Sequence, residues 1–241
     1  VGDTDEEVFV WGAQLNTNSL KDYQKTTGTA LTGDVNVVNW YDQAGGEDFT
    51  QSTAGNQPRI VMGSELVTSN GKASVYFDGG DTLQNSTLAG QNRLDSYIVI
   101  EPDLDASDSQ VLFSNNDGGL YGMTFDDGSS SQYLSFGYGS PNEFVNGTQL
   151  ASNATRNDLH DSLNNTSVFS LIGASSSIFS TFQMGWFNSA GSSSNYQGNL
   201  SEMLFFPNMD SSPKRFNIEQ NMLRHFDVNL VTNGTFDTDT N

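Results

Sequence analysis

Short runs of β-branched and aromatic residues, each closed by a cluster of Gly, Asn, Asp or Ser, recur along most of the chain. They read "VNVVNWY" (35–41), "KASVYFDGGDTL" (72–83), "SYIVIEP" (96–102), "QVLFS" (110–114), "GLYGMTF" (119–125) and "QYLSFGYG" (132–139). After a polar stretch the series resumes with "SVFSLIGA" (167–174), "SIFSTFQMGWF" (177–187) and "NLSEMLFFP" (199–207). Runs of this length suit strands, and the residues between them suit tight turns. "SYIVIEP" is apolar on both faces, which predicts a central strand. In "SIFSTFQMGWF", Ile178, Phe182, Met184 and Trp186 share a face at period two, interrupted by Ser180, with Thr181 and Gln183 opposite. Roughly ten such strands predict an all-β fold, a two-sheet antiparallel jelly-roll sandwich.

The sandwich is expected to carry one short C-terminal helix between Asp210 and Phe226, where an Asp-Ser-Ser opening leads into "PKRFNIEQNMLRHF" (213–226). Ser212 is placed to cap it and Pro213 to begin it. Phe216, Met222, Leu223 and Phe226 can share a face, with Ile218 beside it. Lys214 and Arg215 in the first turn oppose the helix dipole, whereas Arg224 and His225 in the last turn complement it. No other segment reads as helical.

The apolar share is only 35%, but 16 Phe, 8 Tyr and 3 Trp supply large buried areas for a core. Nine Lys and Arg against 29 Asp and Glu give a net charge of −20. A field of that sign repels phosphate backbones and anionic lipid, so neither nucleic acid nor membrane is an expected partner. The chain contains no cysteine, which excludes disulfides, thiolate catalysis and cysteine-zinc sites.

Most acids fall in turns. Asp126 and Asp127 sit side by side in "FDDGSSS" (125–131) and are the candidate calcium ligands, with simple Asx turns as the competing reading. Tyr133, Tyr138, Asn195 and Tyr196 border polar or Gly-rich loops and are the candidate sugar contacts, set against ordinary surface packing. Two acids lie within strand-like runs, Glu101 and Glu202. Alternation puts Glu202 on the face of Leu200, Leu204 and Phe206, a half-buried place for a carboxylate with a catalytic or a structural role. His160 reads as a loop residue and His225 as a dipole complement. Neither is flanked by a pattern that suggests a triad.

"VNWYDQAGGEDFTQSTAGNQPRIV" followed by "GKASVYFDGGDTL" resembles the opening of concanavalin A-like (LamG-type) jelly-roll domains. "YQGNLSEMLFFP" with "PKRFNIEQNMLRHF" resembles the same family's closing strand and helix. In that reading Trp40 anchors a strand in the core, while Asp42, Gly45 and Gly46 shape the turn after it, with Asp42 accepting backbone N–H groups. The LamG-like domain would span 31–228, with 1–30 the end of a preceding β module and linker and 229–241 the start of a following module. Such module strings resemble bacteriophage virion and tail-fibre proteins and bacterial secreted proteins.

The resemblance implies a non-catalytic carbohydrate-binding or adhesion module at a virion surface or outside the cell. Its partners would be host cell-surface glycan or neighbouring virion subunits, with calcium as a candidate cofactor and homo-oligomerisation open. Two alternatives stand beside it. One is a structural or decorating module without ligand. The other is a glycoside hydrolase of the concanavalin-like class using Glu202 and a second acid, although the vicinal cysteines associated with related arabinofuranosidase-type enzymes are absent.

Overall fold

The computed structural model describes residues 33–43, 48–86, 94–105, 109–115, 122–126, 129–131, 135–136, 141–163, 165–174, 181–185, 195–206 and 212–228. In chain order the strands are β1 (Val35–Asn36), β2 (Asn39–Trp40), β3 (Phe49–Thr50), β4 (Arg59–Met62), β5 (Glu65–Leu66), β6 (Thr68–Ser69), β7 (Lys72–Ala73), β8 (Val75–Asp78) and β9 (Leu83–Asn85). They continue with β10 (Leu94–Pro102), β11 (Ser109–Asn115), β12 (Gly122–Asp126), β13 (Ser135–Phe136), β14 (Asn142–Val145), β15 (Thr148–Gln149), β16 (Ser167–Ala174), β17 (Phe182–Met184) and β18 (Gln197–Phe206). Two helices accompany them, α1 (Arg156–Ser162) and α2 (Ser212–His225).

A nine-stranded sheet runs β1-β4-β8-β18-β10-β16-β14-β15, with β5 also paired to β4. A seven-stranded sheet runs β13-β12-β11-β17-β9-β3-β2, and β6 and β7 form a separate hairpin. The pairings are antiparallel. The two large sheets enclose one core, so the chain is an all-β sandwich. One sheet contributes Phe77, Ile98, Ile100, Phe169 and Leu200, and the other Phe49, Leu83, Phe113, Phe182 and Met184. Phe182 stacks on Phe113 at 5.3 Å between ring centroids and meets Phe49 edge-on at 6.0 Å. Trp40 packs, partly buried, against this core.

β10 shows why its sequence is apolar on both faces. Ile98 and Ile100 point into the sandwich, while Tyr97 and Val99 point outward against Met222 and Leu223 of α2 and Phe226 just after it. The helix therefore covers part of the outer face of the nine-stranded sheet.

Its buried stripe differs from the expected one. Phe216 is 54% exposed, and Arg215 and Glu219 take the inward positions one turn apart. Arg215 ion-pairs with the fully buried Glu219, and its guanidinium lies 4.0 Å over the Phe144 ring. The pair and the stacking hold inward a cation that would otherwise oppose the dipole in solvent. At the other end of the helix, burial and then the Lys72 charge push the His225 pKa below its ordinary value, with Asp227 acting in the opposite direction.

Helix α1 was not expected. Thr155 and Asp158 form a reciprocal capping box, with Asp158 N–H donating to Thr155 Oγ1 at 3.2 Å and Thr155 N–H to Asp158 Oδ2 at 2.7 Å. The Thr155 N–H and, at 2.8 Å, the Thr155 hydroxyl both donate to Asp158 Oδ2 and hold that carboxyl below its ordinary range. Leu159 and Leu163 are buried, and His160 belongs to this helix rather than to a loop.

In the turn after Trp40, Asp48 is a carboxylate acceptor, taking the Asp42 N–H at 2.9 Å. Gly45 and Gly46 lie outside the described residues.

Candidate ligand-binding face

β18 carries a bulge that decides which groups face out. Val99 lies opposite Glu202, but the next residue, Ile100, lies opposite Leu200. The extra residue reverses the alternation. Leu200, Met203 and Phe205 contact the core, whereas Leu204 and Phe206 contact the layer beneath α2. Glu202, opposite Val99, shares the outer face. The expected grouping of Leu200 with Glu202, Leu204 and Phe206 is thus corrected. The Glu202 carboxylate makes no hydrogen bond or ion pair among the described residues, and burial alone pushes its pKa up to about 7.

The outer face also carries a row of polar residues. Arg59 on β4 is registered with Tyr76 on β8, Tyr76 with Asn199 on β18, and Asn199 with Glu101 on β10. Thr166, just before β16, extends the row by donating from Oγ1 to Glu101 Oε2 at 3.2 Å. Each residue from Arg59 to Glu101 is half-buried. The row arises because the residues between these positions (Val75 and Phe77, Gly198 and Leu200, Ile100) point into the core.

Ion pairs and amides frame the row. Arg59 binds Asp78 at 2.9 Å, lies 3.8 Å from Asp34 and sits with its guanidinium carbon 5.5 Å from the Tyr76 ring centroid. Gln197 Nε2 donates to Tyr76 Oη at 3.4 Å. Asn199 Oδ1, in the middle of the row, has no hydrogen-bond partner among the described residues. The adjoining turn is built by its own acids. Asp78 N–H donates to Asp81 Oδ2 and Gly80 N–H to Asp78 Oδ1, each at 2.9 Å. Burial raises the Asp81 pKa to about 7, and the neighbouring Asp78 charge adds to the rise.

β18 can lie this close to β10 only because position 198 is glycine. Its φ is +135°, and a Cβ there would sit 2.5 Å from Glu101 O and 2.7 Å from Pro102 Cα.

The residues named from sequence fall differently. Tyr196 is fully buried, with its ring edge-on to Phe77 and Phe125 and its hydroxyl donating to Asn199 O at 2.6 Å. Burial raises its pKa well above the ordinary value. The exposure expected of it is corrected: positions 196, 198 and 200 all alternate inward. Asn195 uses Nδ2 to hold the Gly79 carbonyl at 2.7 Å, pinning the acidic turn to the start of β18. Asp126 is the last residue of β12 and is partly buried. Asp127, Tyr133 and Tyr138 lie outside the described residues. Among the described residues no three His, Cys, Asp or Glu side chains are grouped so as to hold a metal ion. The acidic turn after β10 is an Asx turn, with Asp105 N–H donating to Asp103 Oδ1 at 3.2 Å.

Arg59, Tyr76, Gln197 and Asn199 were not singled out from sequence. The outward phase of Tyr76 between Val75 and Phe77 was legible, but its alignment with Asn199 and Glu101 depends on strand order.

Comparison with known proteins finds no family model, curated protein or solved structure that matches this chain.

Proposed function

We propose that this chain is a non-catalytic carbohydrate-binding or adhesion module of a virion-surface or secreted protein, and that its ligand lies across the row from Arg59 to Glu101. The observation that carries the reading is the registered row itself. It sets an aromatic ring, a guanidinium, an amide and a carboxylate side by side, half-buried, on one face of the nine-stranded sheet. Hydroxyl-rich ligands need that mixture: ring surface for C–H faces, and paired donors and acceptors for hydroxyls. The net charge of −20 favours neutral glycans over anionic ones.

The test is a glycan-array screen of the purified chain, with calcium and with chelator. Binding that is lost in Tyr76→Ala with the melting temperature unchanged supports the row. Loss with chelator and in the Asp126→Ala/Asp127→Ala variant would add calcium as a cofactor. A folded chain that binds no glycan at high concentration overturns the reading.

One observation favours a hydrolase as the second reading. Glu202 and Glu101 lie on neighbouring strands of the same face, and Glu202 has the raised pKa a general acid needs. Release of reducing sugar from a bound polysaccharide, abolished in Glu202→Gln with binding retained, would replace the module reading with this one.

A further inference from the structure

The register of the seven-stranded sheet builds a second polar row on that sheet's own outer face. Asn39 on β2 lies opposite Thr50 on β3, Thr50 opposite Gln84 on β9, Gln84 opposite Gln183 on β17, and Gln183 opposite Ser114 on β11. Registered partners share a face. The residues that alternate with them, Phe49, Leu83, Met184 and Phe113, belong to the core, so the row points away from it. It crosses five strands, four steps of about 4.8 Å, or roughly 19 Å. None of its five side chains is charged.

Burial along the row is uneven. Thr50 is exposed, and Asn39 and Gln84 are half-buried. Gln183 is only 4% exposed and Ser114 1%, although both point out of the sandwich. The row therefore descends from a rim at β3 to a recessed centre at β17 and β11. The side-chain amides of Gln84 and Gln183 make no hydrogen bond among the described residues. Each carries two donors and an acceptor oxygen, and amides as buried as Gln183 are rarely left unpaired. At the β2 end, Asn39 Nδ2 donates to Tyr41 Oη at 3.4 Å, which sets a phenol ring beside the row.

We propose that this row is a second binding site, for a neutral linear oligosaccharide laid across the strands. The row has no charge with which to hold an ion, and the net charge of −20 disfavours an anionic ligand. An extended peptide pairs its backbone with a sheet edge, whereas a sheet face offers side chains alone. Amides on successive strands recur at steps of about 4.8 Å, so that neighbouring hydroxyl-bearing rings of one chain can each meet a donor and an acceptor. Tyr41 adds ring surface for a C–H face at one end. The inference shares its ligand class with the reading above but not its site, because the two rows lie on different sheets with the core between them.

The test is titration of the isotope-labelled full chain with cellohexaose, laminarihexaose and maltohexaose, followed through the side-chain amide signals in NMR. Gln84 and Gln183 report this row, while Gln197 and Asn199 report the other. At least one probe should shift the Gln84 and Gln183 signals, and the shift should persist in Tyr76→Ala. Gln84→Ala and Gln183→Leu should each weaken this binding by roughly tenfold, the effect of losing one or two hydrogen bonds. Gln183→Leu gives a second readout. Its amide has no partner to lose among the described residues, so the melting temperature should hold or rise, where a structural amide would lower it. Shifts confined to Gln197 and Asn199 would overturn this inference and leave the other row standing. It is overturned equally by Gln84 and Gln183 signals that no probe moves at millimolar concentration, by Gln183→Leu binding like wild type, or by its melting lower.

Discussion

Asn70 Nδ2 donates to the Phe226 carbonyl oxygen at 2.9 Å, joining residues 156 positions apart. Asn70 is in the left-handed region, φ +46°, in the Asn-Gly turn of the β6–β7 hairpin. The turn thus supplies a donor to a carbonyl at the C-terminal end of α2, where helix carbonyls lack partners. Asn70→Gly keeps the turn conformation and removes only the donor. It should cost about 0.5–1.5 kcal/mol in urea unfolding and speed amide exchange in the last turn of α2. A stability equal to wild type would mean that packing of Phe226 alone holds the helix end.

The Arg215–Glu219 pair should behave as a buried ion pair. Arg215→Met strands a carboxylate with no exposure, and a loss of about 3–5 kcal/mol is expected. Arg215→Met/Glu219→Leu should recover most of it, because no uncompensated charge remains. Equal losses in the single and double variants would place the stabilisation in the Arg215–Phe144 stacking instead.

Glu202 and Asp81 set a pH dependence. Both have folded-state pKa values of about 7, against ordinary values of 4.5 and 3.8. The folded state holds these protons more tightly than the unfolded chain. Their contribution is therefore fully present below the ordinary values and is lost as pH rises through about 7. Thermal unfolding midpoints should fall between pH 5 and pH 8, and Glu202→Gln should flatten that fall and stabilise the protein by about 1–3 kcal/mol at pH 8. A slope that Glu202→Gln leaves unchanged would assign the effect to other acids.

Gly198→Ala should damage the sheet at the polar row. The added Cβ meets the β10 backbone at Glu101 and Pro102, and φ of +135° is strained for any side chain. A loss of about 2–4 kcal/mol is expected from chemical denaturation, with glycan binding reduced in the variant that still folds. Near-neutral stability would show that the two strands separate there at little cost.

Much of the fold was legible because strand and helix periods write themselves into the chain. The doubly apolar β10 and the position of α2 could be read directly. Helix α1 was equally written, in the Thr155–Asp158 spacing, but only seven residues follow that cap, too few for a helical period to show. The inward face of α2 was misjudged at Phe216 because Arg215, ion-paired to Glu219, turns inward to stack on Phe144, a residue of β14 far away in the chain. The bulge in β18 had no sequence signature, and it turned Leu200 to the core while Glu202 stayed on the outer face with Leu204 and Phe206. Tyr196 looked like a loop-border tyrosine because the inward phase of β18 begins at its own position, outside the visibly apolar part of the strand.

The sequence by itself determined the elements and their solvent character: many short strands, sharp polar turns, one short C-terminal helix and an acidic surface. These depend on local backbone preference and on period, which neighbouring residues supply. Tertiary structure decided register and strand order, and with them the row that joins Arg59, Tyr76, Asn199 and Glu101. It also decided which cation turns inward and which strand acid is buried on the outer face. Those outcomes depend on residues far apart in the chain meeting across a sheet, and a pattern read along one strand holds no information about the strand beside it.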